Sequence, residues 1–356
     1  MVKKFFVRYF RHIPVCALLI VCLWGFIFYP EKIAQGVTRG ITLCVETVIP
    51  ALFPFMVFAS CFAKTALFHF ISSKADKITQ RLFKVSGVGF TSVVLGLLGG
   101  YPIGAKGVND AFSRGLITQN EAARLFCWCS NPSPAFVISA VGVLMLSSYK
   151  SGVLLFASTT LSALTIGFFT RFFTDCEKPY NQRALVFRKE KNIFTRSVSE
   201  TGKSMLGICG WVLTFSAISA LSDAIVPEAG ARTFLNCIAE VTAACKTAYE
   251  ENLSLPLIGA ILGFGGLGVI FQIYEYMKSC GLKLRVFLCV KLLNGALAAF
   301  YCSLMMKLFP QSTTASVTLS IGNQAIQLSH SIATAIILLI TCTVFIIEVD
   351  NKRKLC

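Results

Sequence analysis

Long apolar stretches divided by short clusters of charge set the plan of this chain. Uncharged runs cover residues 13–29, 47–63, 85–105, 125–149, 151–170, 204–222, 252–274 and 309–347. Most reach the length of about 17–25 residues that a helix needs to cross the hydrocarbon of a bilayer. They predict transmembrane helices. The run at 47–63 contains Pro50 and Pro54, which remove backbone donors and predict a kinked span. Residues 64–84 break the pattern: Lys64, Lys74, Lys77, Arg81 and Lys84 alternate with Leu67, Phe68, Phe70, Ile71, Leu82 and Phe83. That mixture predicts an amphipathic helix on the cytoplasmic membrane surface.

Composition supports the pattern. The chain is 55% hydrophobic and only 14% charged, against about 25% charged residues in a soluble domain. The expected fold is therefore all-α and polytopic, with roughly 7–9 crossings of the bilayer. Lys3, Lys4, Arg8 and Arg11 precede the first run, and no small-residue cleavage site follows it. Residues 1–39 thus read as a retained signal-anchor helix with a cytoplasmic N-terminus. Residues 174–203 carry seven basic and four acidic side chains and form the expected basic cytoplasmic linker between two halves, 40–173 and 204–350. A basic tail, 351–356, ends the chain.

The net charge of +16 is accounted for by cytoplasmic loops that collect Lys and Arg, and no nucleic-acid-binding module accompanies it. The fifteen cysteines are scattered, mostly through apolar segments, where thiols act as small apolar groups. No cysteine or histidine spacing suits a metal, and no nucleotide loop or nucleophile with a neighbouring base is present. The expectation is a protein without enzymatic activity and without a cofactor.

The most unusual stretch is 95–134. Gly96, Gly99, Gly100 and Gly104 interrupt an apolar run, Pro102 ends its hydrogen bonding, and Lys106 follows at or near membrane depth. Ser130-Asn131-Pro132-Ser133-Pro134 then offers an N-cap and two prolines, so a helix restarts there. Broken backbone and ionisable groups inside a bilayer are tolerated where protein buries them or water lines them. Shifting this half by 166 positions places Gly99-Gly100 on Gly265-Gly266, Ser113 on Ser279, Gly115-Leu116 on Gly281-Leu282 and Lys106 on Gln272. The amphipathic stretch is basic in the first half. In the second it leans acidic, with Glu228, Glu240, Glu250 and Glu251 against Arg232 and Lys246. Such a reversal is expected of two inverted repeats with broken or re-entrant glycine-rich helices, which hold substrate near the midplane. Re-entrant hairpins would give three crossings per repeat; full crossings would return the C-terminus to the cytoplasm.

These features suggest a pocket for a small organic anion. Gly99 and Gly100 would free backbone amides, and Lys106 would balance the substrate charge beside helix N-termini. Tyr101 would stack on or hydrogen-bond a ring. Asn109, Asn131 and Ser133 would donate hydrogen bonds, with Gln272 and Asn294 contributing from the other half. Glu46, one turn before Pro50, is the candidate coupling acid. Asp110 and Glu121 are expected instead to pair with Arg114 and Arg124 on solvated helix faces, and Glu275 is a further acid of the same kind.

The segments 97–106, 115–125 and 130–136, with Val48-Ile49-Pro50-Ala51-Leu52-Phe53-Pro54-Phe55 upstream, resemble the YlbJ family of sporulation integral membrane proteins, which carries paired nucleoside-recognition Gate domains. The resemblance runs from about residue 40 to 347, strongly in the first half and loosely in the second. It implies two Gate-type repeats, an endospore-forming bacterium, the outer forespore membrane, and dipicolinic acid as the substrate moved toward the forespore. Dipicolinate is a small planar dianion, which suits an anion-friendly cavity. The alternatives are a nucleoside carrier, which would prefer neutral contacts, and a membrane scaffold for cortex formation that transports nothing. The expected partners are that anion and the lipid bilayer, with no nucleic acid; oligomeric state is open.

Overall fold

The computed structural model describes residue 20 and residues 23–173, 192–226 and 228–308. Most of the expected anchor run, most of the linker, the run at 309–347 and the basic tail lie outside these residues. Every regular element among the described residues is helical. Five helices are long and apolar enough to cross a membrane, or six if a bent pair counts as one span.

The first span, α1 (Pro30–Ala63), contains a wide turn at Cys44–Val48, where Ile49 N–H bonds to Cys44 O, five residues back. Pro50 has no N–H to return to residue 46, so the ladder slips by one residue just before it. Thr65 caps α2 (Ala66–Phe83) by accepting from Phe68 N–H at 3.2 Å, and Lys84 ends it in the left-handed conformation. The chain then turns by 91° into α3 (Gly87–Gly99). Asp76 and Glu121 fix that corner. Asp76 Oδ1 accepts from Gly87 N–H at 2.7 Å, and Glu121 Oε1 accepts from both N–H and Oγ of Ser86 at 2.6 Å. Glu121 is therefore buried rather than set on a solvated face, and burial raises its pKa above the ordinary value. Arg124 likewise donates to the Lys84 carbonyl at 2.5 Å.

After Gly100 come α4 (Tyr101–Ser113), α5 (Gln119–Phe126), an irregular stretch, α6 (Ala135–Met145, wound as a π-helix) and the span α7 (Tyr149–Thr170). The second half supplies the long α8 (Ile193–Ile225), short α9 (Ala229–Ala239) and α10 (Val241–Glu250), then α11 (Leu255–Phe264), α12 (Gly266–Met277) and α13 (Leu284–Leu308). The halves interlock: α8 packs along α1, and α13 lies between α11 and α7. One apolar core, including Trp128, Phe126, Leu125, Ile270 and Phe287, draws on both. Outward faces carry Phe58, Leu144, Leu206 and Phe300 exposed, as a lipid-facing surface requires when every backbone group is satisfied inside helices.

Candidate functional site

The two glycine runs take different paths. Helices α3 and α4 fold back against each other as a tight hairpin about Gly100, whose φ of 94° and ψ of −178° suit glycine alone. Gly96 and Gly104 face each other across it, and the carbonyl oxygen of Cys129 wedges between them, where a Cβ on either would collide. The irregular stretch before α6 is thereby locked into the hairpin. In the second half, Gly265 (φ 84°) and Gly266 (φ 77°) make a left-handed break. There α11 and α12 continue as one span, Leu255–Cys280.

The two breaks nevertheless meet. Tyr101 Oη donates 2.7 Å to Leu262 O near the end of α11, and the Tyr101 ring lies beside Gly265. Between them is a mainly apolar cavity of ≈ 40 Å³, room for about three waters. Four helix beginnings line it: Gly100, Tyr101 and Pro102 of α4; Ser133 and Phe136 of α6; Glu240, Val241 and Thr242 of α10; and Gly268, Val269 and Gln272 of α12. Two of these are capped by side chains. Ser133 Oγ accepts from Phe136 N–H at 3.2 Å, and Glu240 Oε2 accepts from Ala243 N–H at 2.7 Å. The glycine-started helices α4 and α12 have no side-chain cap, so the positive ends of their dipoles are left for another acceptor.

Of the residues expected at a binding pocket, Gly99, Gly100, Tyr101, Ser133 and Gln272 line this cavity. Lys106 does not. Five residues beyond Tyr101 it points about 140° away around the helix. Its ammonium lies 3.4 Å from Glu200 Oε2, shared with Lys64 at 3.0 Å. Asn109 accepts from Ser279 Oγ at 2.8 Å, joining α4 to the turn after α12. Asn131 is buried beside the cavity-lining segment and donates to Trp128 O at 2.7 Å. Asn294 packs α13 on α11 by donating to Gly263 O at 2.9 Å and accepting from Ser162 Oγ. Glu46 is exposed on the outside of α1, away from the cavity.

Two charged residues at the breaks escaped the sequence pattern. Glu240, 6% exposed, lines the cavity at the start of α10. Lys291 on α13, 1% exposed, donates 2.6 Å to Ser130 O and lies 5.5 Å from the centre of the Tyr101 ring. The signal for Lys291 was present. It is the one charge in residues 286–306, and that single charge keeps an otherwise apolar stretch from standing out as an uncharged run.

Long apolar helices, a hairpin tightened by glycines and a cavity between broken helices define a polytopic helical membrane protein. The chain matches no family profile and no solved structure. It is 23% identical over 323 residues to the sporulation integral membrane protein YlbJ of Bacillus subtilis (strain 168), a match that covers 79% of each chain. The chain is thus similar, along most of its length, to a sporulation integral membrane protein.

Proposed function

We propose that this protein is a carrier for a small organic anion, with dipicolinate as its substrate, in the outer forespore membrane. The observation that carries the reading is the convergence of four helix beginnings on one cavity, two of them uncapped. Helix N-termini present amides and positive dipole ends, a fitting seat for a carboxylate. The cavity as it stands holds only a few waters, so loading requires the hairpin and the second break to separate. Purified protein in liposomes is expected to take up labelled dipicolinate saturably. Uptake of uridine without dipicolinate would instead support a nucleoside carrier. That second reading draws on the cavity wall, which offers Gln272, Thr242 and Glu240 and no basic side chain. Movement of neither solute would leave the scaffold role.

A further inference from the structure

Lys291 is a buried cation with no salt-bridge partner among the described residues. It stands eighth in α13, about 10 Å along the helix at 1.5 Å per residue, and is 1% exposed. Among the described residues it donates one hydrogen bond, to Ser130 O. The ionisable groups that act on it are the thiols of Cys129 and Cys127. One residue past Ser130, Asn131 Oδ1 is buried without a hydrogen-bond partner. An ammonium in such a place is costly, and an ionisable group inside a membrane bundle points to function.

The Tyr101 ring stands between this ammonium and the cavity. It forms part of the cavity wall and also receives Lys291 over its ring, a cation–π contact. Its hydroxyl is latched to Leu262 O, beside the second break. Swinging the ring off that latch would open the cavity toward Lys291 and join a fixed positive charge to the amides of α4 and α12.

We infer that Lys291, screened by Tyr101 in this closed form, is the charge that receives a carboxylate of the substrate. This rests on the anion-carrier reading and supplies the cation that Lys106 does not. The test is dipicolinate uptake by the full chain in liposomes, with thermal unfolding measured in detergent. Lys291→Met is expected to raise KM at least about tenfold, the scale of a lost charged hydrogen bond. Its unfolding midpoint should hold or rise, because a lone buried charge has been removed. Lys291→Arg should restore KM to within about threefold, since the charge is kept while the geometry changes. A Lys291→Met protein with unchanged KM, lowered Vmax and a lowered midpoint would show a mere tether to Ser130 and overturn the inference. On the wild-type protein, the neutral diamide of dipicolinate should compete at least about tenfold less well than dipicolinate itself; equal competition overturns the inference without any variant. If the wild type moves no dipicolinate, the carrier reading falls, which is a different result from uptake that ignores Lys291.

Discussion

The glycine pair at residues 99–100 and the pair at 265–266 are identical dipeptides with opposite consequences. The first reverses the chain into a hairpin, and the second lets a span run on with a left-handed break. The difference lies in the flanks. At the 166-residue offset the facing pair Gly96 and Gly104 becomes Leu262 and Ile270, both fully buried. Two large side chains there hold helix axes apart, while two glycines let backbones touch and admit the Cys129 carbonyl. A glycine doublet permits a break, and the residues one turn either side decide whether it closes.

The sharpest way to break this comparison is to fill the hairpin. Gly104→Ala places a methyl against the backbone carbonyl of Cys129, which cannot withdraw as a flexible side chain would. A loss of about 3 kcal/mol or more is expected, at the upper end of overpacking costs, read as thermal unfolding in detergent. Wild-type stability in that variant would contradict the hairpin geometry. Next in size come the breaks themselves. Gly100→Asn forces a side chain to ψ near 180° at positive φ and should cost about 2–3 kcal/mol. Gly265→Asn adopts a left-handed helix end that asparagine tolerates and should cost about 1 kcal/mol. Equal losses at the two sites would mean that the breaks are alike after all.

Much of this was legible beforehand and some was not. The irregular turn before Pro50, the helix within 64–84 and the restart near Pro134 follow directly from proline positions, charge alternation and capping residues. The repeat offset located the breaks that meet, and five of the nine expected binding residues lie on the cavity. What spacing did not show is direction around a helix. Lys106 belongs to the correct segment but points to Glu200, and Gln272, at the equivalent position, faces inward. Glu240 reads as one of four acids in an amphipathic stretch, and spacing alone does not separate the acid that starts a buried helix from those on the surface.

A smaller effect separates the two lysines. Lys106→Met removes one of three cations around Glu200, at a site about a third exposed, while Lys64 and Arg196 remain. The cost should stay below about 1 kcal/mol, as for other partly exposed ion pairs, and KM for dipicolinate should not move. A Lys106→Met protein that loses uptake while Lys291→Met keeps it would return the substrate charge to Lys106.

The smallest expected effect concerns the glutamate that each half buries at a helix start. Glu240 caps α10 within the cavity; Glu121 holds the α2–α3 corner outside the spans. Desolvation raises the Glu121 pKa above its ordinary 4.5, opposed by the two bonds from Ser86 and by the charge of Arg124. A raised value means that the folded state holds the proton more tightly than the unfolded chain. The associated stability is therefore complete below about pH 4.5 and is lost as pH rises through the folded value. Glu121→Gln keeps an oxygen to accept from Ser86 and cannot ionise. Its unfolding midpoint should vary less between pH 4 and 7 than that of the wild type, a window of about three units centred above the ordinary carboxyl range. A wild-type midpoint that climbs with pH across that window, with Glu121→Gln abolishing the climb, would show that the Ser86 and Arg124 contacts outweigh burial at this corner.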